Sequence, residues 1–149
     1  MIQIRKARIG DETDIYELIK ELAVYENSPD SVTNTIPELK KHLFEEKICD
    51  ALIAEDNNKV VGFTLFYISY STWKGKCLYL EDFYVKKNYR KHGIGSLLFN
   101  GTIEIAKSIK AQRMDWQVLE WNDIAINFYK KHNTQLDSGW INGRISFEI

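Results

Sequence analysis

Arg90-Lys91-His92-Gly93-Ile94-Gly95 joins the apolar run Leu78–Val85 to an amphipathic stretch that starts at Ser96. A strand that ends in a basic, glycine-containing turn and opens into a helix leaves several backbone N–H groups converging on one spot. The helix dipole favours an anion there as well. A pyrophosphate fits such a cradle. Gly93 and Gly95 let the backbone come close and adopt φ values other residues avoid, while Arg90 and Lys91 add positive charge. Two other phosphate loops fail on spacing. A Walker loop needs Lys and then Ser or Thr after its last glycine, whereas Gly95 is followed by Ser96 and Leu97. The dinucleotide fingerprint needs Gly or Ala three residues after its second glycine, and Leu98 stands there.

Outward from this join, the hydrophobic pattern alternates between the periods of strand and helix. Ile2, Ile4 and Ala7 read as a first strand, after which Asp11 caps a helix with Ile15, Leu18, Ile19 and Leu22 on one face. Pro29 stops it. A second helix opens near Pro37, with Leu39, Leu43 and Phe44 as its stripe. Ala51–Glu55 and Val60–Tyr70 are strands joined by Asp56-Asn57-Asn58-Lys59, whose asparagines tolerate positive φ, and Lys76–Val85 is another long strand. Beyond the basic turn, Ile94, Leu97, Leu98, Ile105 and Ala106 form the apolar face of a helix. Met114–Leu119 reads as a buried strand, Asn122 caps a helix bearing Phe128 and Tyr129, and an Asn142-Gly143 hairpin closes the chain between Trp140 and Phe147. The order β α α β β β α β α β β predicts a single α/β domain over 1–149, with a mixed, mostly antiparallel twisted sheet and about four helices.

Composition narrows the function classes. The 149 residues are enough for one self-sufficient core, and a formal net charge of −1 gives no bulk reason for nucleic-acid binding. Only Cys49 and Cys77 occur, without C-x-x-C spacing, and His42, His92 and His132 are scattered. No disulfide framework or metal site is expected, and a reduced, cytoplasmic setting follows. No stretch approaches membrane-spanning length and the first residues lack a signal-peptide core, so no membrane partner is expected.

The Arg-x-x-Gly-x-Gly turn resembles the acetyl-coenzyme A loop of the GNAT N-acetyltransferases, and the element order is the one expected of that family. More specific strings are similar to its diamine acetyltransferase group, the spermidine/spermine N1-acetyltransferases. They are Leu18-Ile19-Lys20-Glu21-Leu22-Ala23 with Tyr25-Glu26, Tyr79-Leu80-Glu81-Asp82-Phe83-Tyr84-Val85, Trp121-Asn122, and Ile126-Asn127-Phe128-Tyr129-Lys130. Tyr70-Ser71-Thr72-Trp73-Lys74-Gly75 looks more like the thialysine-acetylating branch. The polyamine enzymes have an aspartate and a proline where Ser71 and Thr72 stand, so recognition of a second ammonium is weakened here. Asn133 replaces the glycine usual after the last helix, and Asn also takes a left-handed cap.

The resemblance implies transfer of an acetyl group from acetyl-CoA to a primary amine of a small molecule, by direct attack in a ternary complex. Thialysine, lysine-like amines, diamines and polyamines are the candidate acceptors. At pH 7 an amine with pKa of about 10.4 is only about one part in 2,500 neutral, so a base is needed. On a regular strand Glu81 and Asp82 point to opposite faces. The resemblance selects Glu81, acting through ordered water, with Asp82 as the alternative or supporting carboxylate. Tyr129 is the acid for the departing thiolate, since a phenol stays protonated at neutral pH. Phe83, Tyr84 and Val85 would pair with the pantetheine amides as an added strand does. Arg90, Lys91, His92, Gly93, Ile94, Gly95 and Ser96 form the pyrophosphate loop, with Asn122, Asn127 and Lys130 on the opposite wall. Tyr25, Glu26, Ser71, Trp73, Asp82 and Trp140 match the amine pocket. The family implies a homodimer with sites near the interface, and a noncatalytic acyl-CoA sensor is the reading from another class.

Overall fold

The hairpin at Asp56–Lys59 forms as the asparagines require. In a computed structural model that describes residues 1–148, Asn57 and Asn58 take φ values of 49° and 70°. They make the two-residue link between β2 (Asp50–Asp56) and β3 (Lys59–Ser71). β1 (Ile2–Lys6) pairs antiparallel with β2, and β3 pairs antiparallel with β4 (Gly75–Val85). β5 (Met114–Trp116) adds in parallel beside β4, so the sheet runs β1-β2-β3-β4-β5. This is the mixed, mostly antiparallel sheet that the sequence predicts.

Helices cover both faces. On one side lie α1 (Glu12–Tyr25) and α2 (Ile36–Lys40), the latter running into a wider turn over Lys41–Glu45. Ile15, Leu18, Leu22, Leu39 and Leu43 pack there on Ala51, Ile53, Phe63, Leu65 and Tyr84. Thr35 caps α2 by accepting from the Glu38 N–H at 3.3 Å. On the other side α3 (Ile94–Ser108) sets Ile94, Leu98 and Ala106 against Leu52, Ala54, Val61, Phe66, Leu78 and Val85. Its buried face also includes Phe99 and Thr102, whereas Leu97, expected inside, is half exposed. The stripe is Ile94, Leu98, Thr102 and Ala106 at four-residue spacing, with Thr102 hydroxyl-bonded to buried Thr64 at 2.8 Å. Gly62 makes room for this layer, because a Cβ there would stand 3.0 Å from the Tyr84 carbonyl and 3.2 Å from Leu98.

Asp11 stands at the start of α1, but its carboxylate does not cap the helix. It accepts both prongs of Arg5, at 2.7 and 3.0 Å, and the Arg8 N–H at 2.7 Å, while Arg5 also reaches Glu55 at 3.2 Å. This cluster ties β1, β2 and α1 together. Burial works against ionisation of Asp11, yet the Arg5 fork and the Arg8 N–H outweigh it and hold the carboxyl below its ordinary range.

The chain divides into two compact units, residues 1–117 and the stretch from Val118 onward. The first holds the whole sheet and α1 to α3. The second holds α4 (Asp123–Lys130), capped by Asn122 Oδ1 accepting from the Ala125 N–H at 3.2 Å. Two expectations are corrected. β5 is three residues long rather than the six of Met114–Leu119, because its ladder with β4 ends at Leu80–Trp116. The closing hairpin between Trp140 and Phe147 is not formed among the described residues. Trp140, Ile141, Ile145 and Phe147 are each at least 80 % exposed, and an isolated hairpin with no face to bury against is marginal. No helix among the described residues is long and apolar enough to cross a membrane.

Candidate functional site

The decisive local feature is a β-bulge. Leu65 lies opposite Asp82 but Phe66 lies opposite Leu80, so Glu81 is an extra residue in β4. The bulge has two consequences. The strict alternation expected of Glu81 and Asp82 is broken, and both carboxylates act on one neighbourhood. Glu81 accepts from the Tyr67 hydroxyl at a long 3.5 Å, while Asp82 and Tyr67 line the same cavity. The β5 ladder also stops here, while β4 runs on to Val85. Beyond the end of that ladder, Glu81–Val85 is where an extended, amide-bearing ligand arm would add alongside β4.

The acidic cluster is electrostatically tight. Burial, then the nearby Glu81 and Glu26 charges, push the Asp82 carboxyl from its ordinary 3.8 up to about 7. Glu26, at the C-terminal cap of α1, is raised by burial and by Glu81. Tyr67 and Tyr79, stacked with ring centroids 5.3 Å apart, are likewise raised by burial and then by Glu81. Such a cluster of anions and aromatic rings gains free energy from a cation, and it is poised to accept a proton near neutral pH.

The basic turn lies beyond β4. Lys87–Tyr89 form a single 3-10 turn, Lys91 and Gly93 take φ values of 67° and 80°, and α3 starts at Ile94 with no side chain capping it. The first N–H groups of a 15-residue helix are therefore presented to the turn, and the sequence there supplies Lys91, His92 and Ser96. A diphosphate-bearing cofactor with an amide arm fits this combination of an uncapped helix end and a β4 that continues beyond its ladder with β5. Arg90 is committed differently. Its Nε donates to the Val85 carbonyl at 2.9 Å, and its guanidinium lies over the Tyr25 and Tyr84 rings at 5.1 and 5.2 Å, so it fixes the end of β4 to the end of α1. Tyr84 is itself buried and donates to Glu21.

The remaining expected residues are distributed as follows. Ser71 Oγ accepts from the Trp73 and Lys74 N–H groups at 3.2 and 3.1 Å, closing the β3–β4 turn, and Trp73 is 85 % exposed at its tip. Asn122, Asn127, Tyr129 and Lys130 belong to the second unit, with Tyr129 buried and its ring edge-on to Phe128. Trp140 lies in the exposed tail. Sequence reasoning missed Tyr67 and Tyr79. Their signal was available, since Tyr67 shares strand parity with Phe63 and Leu65, which face α1. Among the described residues no cluster of His, Cys, Asp or Glu could hold a metal ion.

Comparison with known proteins agrees with this architecture. A bovine thialysine N-epsilon-acetyltransferase is 39% identical over 143 residues, covering 90% of this chain and 84% of its own. A human spermidine/spermine N(1)-acetyltransferase-like protein 1 is 37% identical over 93% of this chain and 21% of its own. An aminoglycoside acetyltransferase from an uncultured soil metagenomic sample superimposes with a TM-score of 0.82 at 18% identity, over 99% of this chain and 97% of that one, and so shows the fold. The profile of the Acetyltransferase (GNAT) family matches residues 13–133. With the β4–β5 ladder ending at Leu80–Trp116, the uncapped helix end and this match together, the chain belongs to the GNAT family of acetyltransferases.

Proposed function

We propose that the protein acetylates the primary amine of a small molecule, with the amine held at the Glu26–Glu81–Asp82 cluster and acetyl-CoA lying along β4 and the basic turn. The observation that carries this reading is the bulge at Glu81, which sets two carboxylates and two tyrosines beside the end of the β4–β5 ladder. Similarity to thialysine N-epsilon-acetyltransferases supports a lysine-like or diamine acceptor. Acetyl-CoA supplies an activated acyl thioester, and GNAT membership supports its use.

The residues then divide the proton work. The incoming ammonium docks against the acidic cluster, which stabilises it by charge and by the tyrosine faces. Its proton passes to the Glu81–Asp82 pair, either directly or through one ordered water. With its carboxyl pushed up to about 7, Asp82 is about half ionised at neutral pH and increasingly so above it. The neutral amine attacks the thioester carbonyl in a ternary complex, and Tyr129 donates the proton that the departing thiolate needs. Lys91–Ser96 hold the pyrophosphate, while Phe83–Val85 pair with the pantetheine amides. Asn122, Asn127 and Lys130 complete the cofactor wall by their match to the family. The same similarity supports a homodimer, and the free thiols Cys49 and Cys77 support a reducing, cytoplasmic setting.

The test is thiol release from acetyl-CoA across thialysine, lysine, ornithine, putrescine, spermidine and spermine. The expected result is amine-dependent release with N-acetylated product. Release that ignores the amine, or none with any amine despite acetyl-CoA binding, would sink the proposal and favour a sensor.

A further inference from the structure

We infer that Arg90 is a positioning residue for the amine acceptor and not a phosphate contact: from the start of the cofactor turn it holds the C-terminal end of α1, and with it Glu26, beside Glu81 and Asp82. This rests on the acetyl-transfer reading above, which places the amine at that cluster. It gives Arg90 a role that the Arg-x-x-Gly-x-Gly pattern does not suggest.

Glu26 sits where a helix holds its residues least firmly. It caps the C-terminus of α1, with its N–H donating to the Leu22 carbonyl at 2.9 Å, and Asn27 then turns the chain at a φ of 60°. No basic residue in the last turn of α1 offsets the helix dipole. The like charges of Glu26 and Glu81 also oppose this placement. The helix end therefore needs an anchor on the strand that carries Glu81 and Asp82. One anchor lies a turn earlier, where Glu21 accepts from Lys86 Nζ at 2.7 Å and from the Tyr84 hydroxyl at 3.3 Å. The other is Arg90, whose guanidinium lies 5.1 Å from the ring of Tyr25, the residue next to Glu26, and 5.2 Å from the ring of Tyr84. Its Nε donates to the Val85 carbonyl at 2.9 Å, so the same side chain grips β4 by a hydrogen bond and α1 by a ring face. It also brings positive charge to the end of a helix that has none of its own there.

The experiment measures the amine KM and kcat, with the amine of the six above that wild type uses best, and the Kd of coenzyme A by calorimetry. Arg90→Lys keeps the charge but not the planar fork, and Arg90→Gln keeps neither; both are also made in a Glu26→Gln background. Each Arg90 variant should raise the amine KM by about five- to tenfold, with kcat within about twofold and the coenzyme A Kd within about threefold of wild type. With Glu26→Gln already present, the same substitutions should add less than about twofold, because the contact acts through Glu26. An amine KM that does not move, a rise that is undiminished in the Glu26→Gln background, or a coenzyme A Kd weakened as much as the amine KM overturns the inference and leaves acetyl transfer standing. No turnover of any amine by a wild type that binds acetyl-CoA overturns both, since Arg90 would then have no acceptor site to set.

Discussion

Replacing Asp82 by Asn should make the protein more stable at alkaline pH while removing most of its activity. The folded chain keeps the Asp82 proton up to about 7, because burial and the charges of Glu81 and Glu26 penalise the carboxylate. The unfolded chain releases it at about 3.9. Between those values the folded state binds more protons, so stability falls as pH rises, the reverse of a salt-bridged aspartate. The displacement corresponds to about 4 kcal/mol against the charged form, at about 1.4 kcal/mol per tenfold change in proton equilibrium. Solvent entering the cavity screens part of it, leaving about 2 kcal/mol or more. Asparagine carries no charge and removes this cost. In thermal unfolding at pH 8.5 the Asp82→Asn variant should melt about 5 °C or more above wild type, since about 1 kcal/mol moves a chain of this size by about 2–4 °C. At pH 4 the two should nearly coincide. A variant equal to or weaker than wild type at pH 8.5 would refute the assignment of Asp82 as a carboxyl held neutral by its surroundings.

The other predictions concern the same machinery and its frame. The pH profile of kcat/KM should rise through about 7 as Asp82 ionises, and this limb should vanish in Asp82→Asn, as read by thiol release. Tyr129→Phe should lower kcat by about 10²-fold with acetyl-CoA affinity unchanged by calorimetry, the pattern of a lost general acid. Gly93→Val, at a φ of 80°, should cost about 1–2 kcal/mol and weaken CoA binding, measured by denaturant unfolding and titration. Arg5→Ala should cost about 3–5 kcal/mol by leaving Asp11 and Glu55 without their partner. Because Arg5 holds Asp11 below its ordinary range, that stabilisation is present above the unfolded value and is lost as pH falls through the folded one, so wild type and variant should converge in acid.

Local chemistry made much of the fold legible. The Asn57-Asn58 turn, the Pro37 helix start, the Asn122 cap and the long strands follow from residues whose backbone preferences are strong. The basic turn likewise announces itself through Gly93 and the helix that follows. The Glu81 bulge was hidden. Strand alternation predicts opposite faces for Glu81 and Asp82, and only the pairing of Leu65 and Phe66 with Asp82 and Leu80 reveals the extra residue. Arg90 reads from sequence as a phosphate contact, yet its charge is absorbed by the Val85 carbonyl and two tyrosine rings that lie far apart in the chain. The closing hairpin failed for the opposite reason. Its turn residues and alternation are sound, but alternation predicts a strand only where one face has something to cover, and Trp140 and Phe147 remain exposed.

The most direct test is a crystal structure of the protein with coenzyme A and an amine acceptor bound together. The account predicts the pyrophosphate on the N–H groups of Lys91–Ser96, the pantetheine arm along Glu81–Val85 beyond the end of the β5 ladder, and the amine nitrogen within hydrogen-bond reach of Glu81 or Asp82, or of one water they share. An amine bound away from that carboxylate pair, with coenzyme A in place, would contradict it.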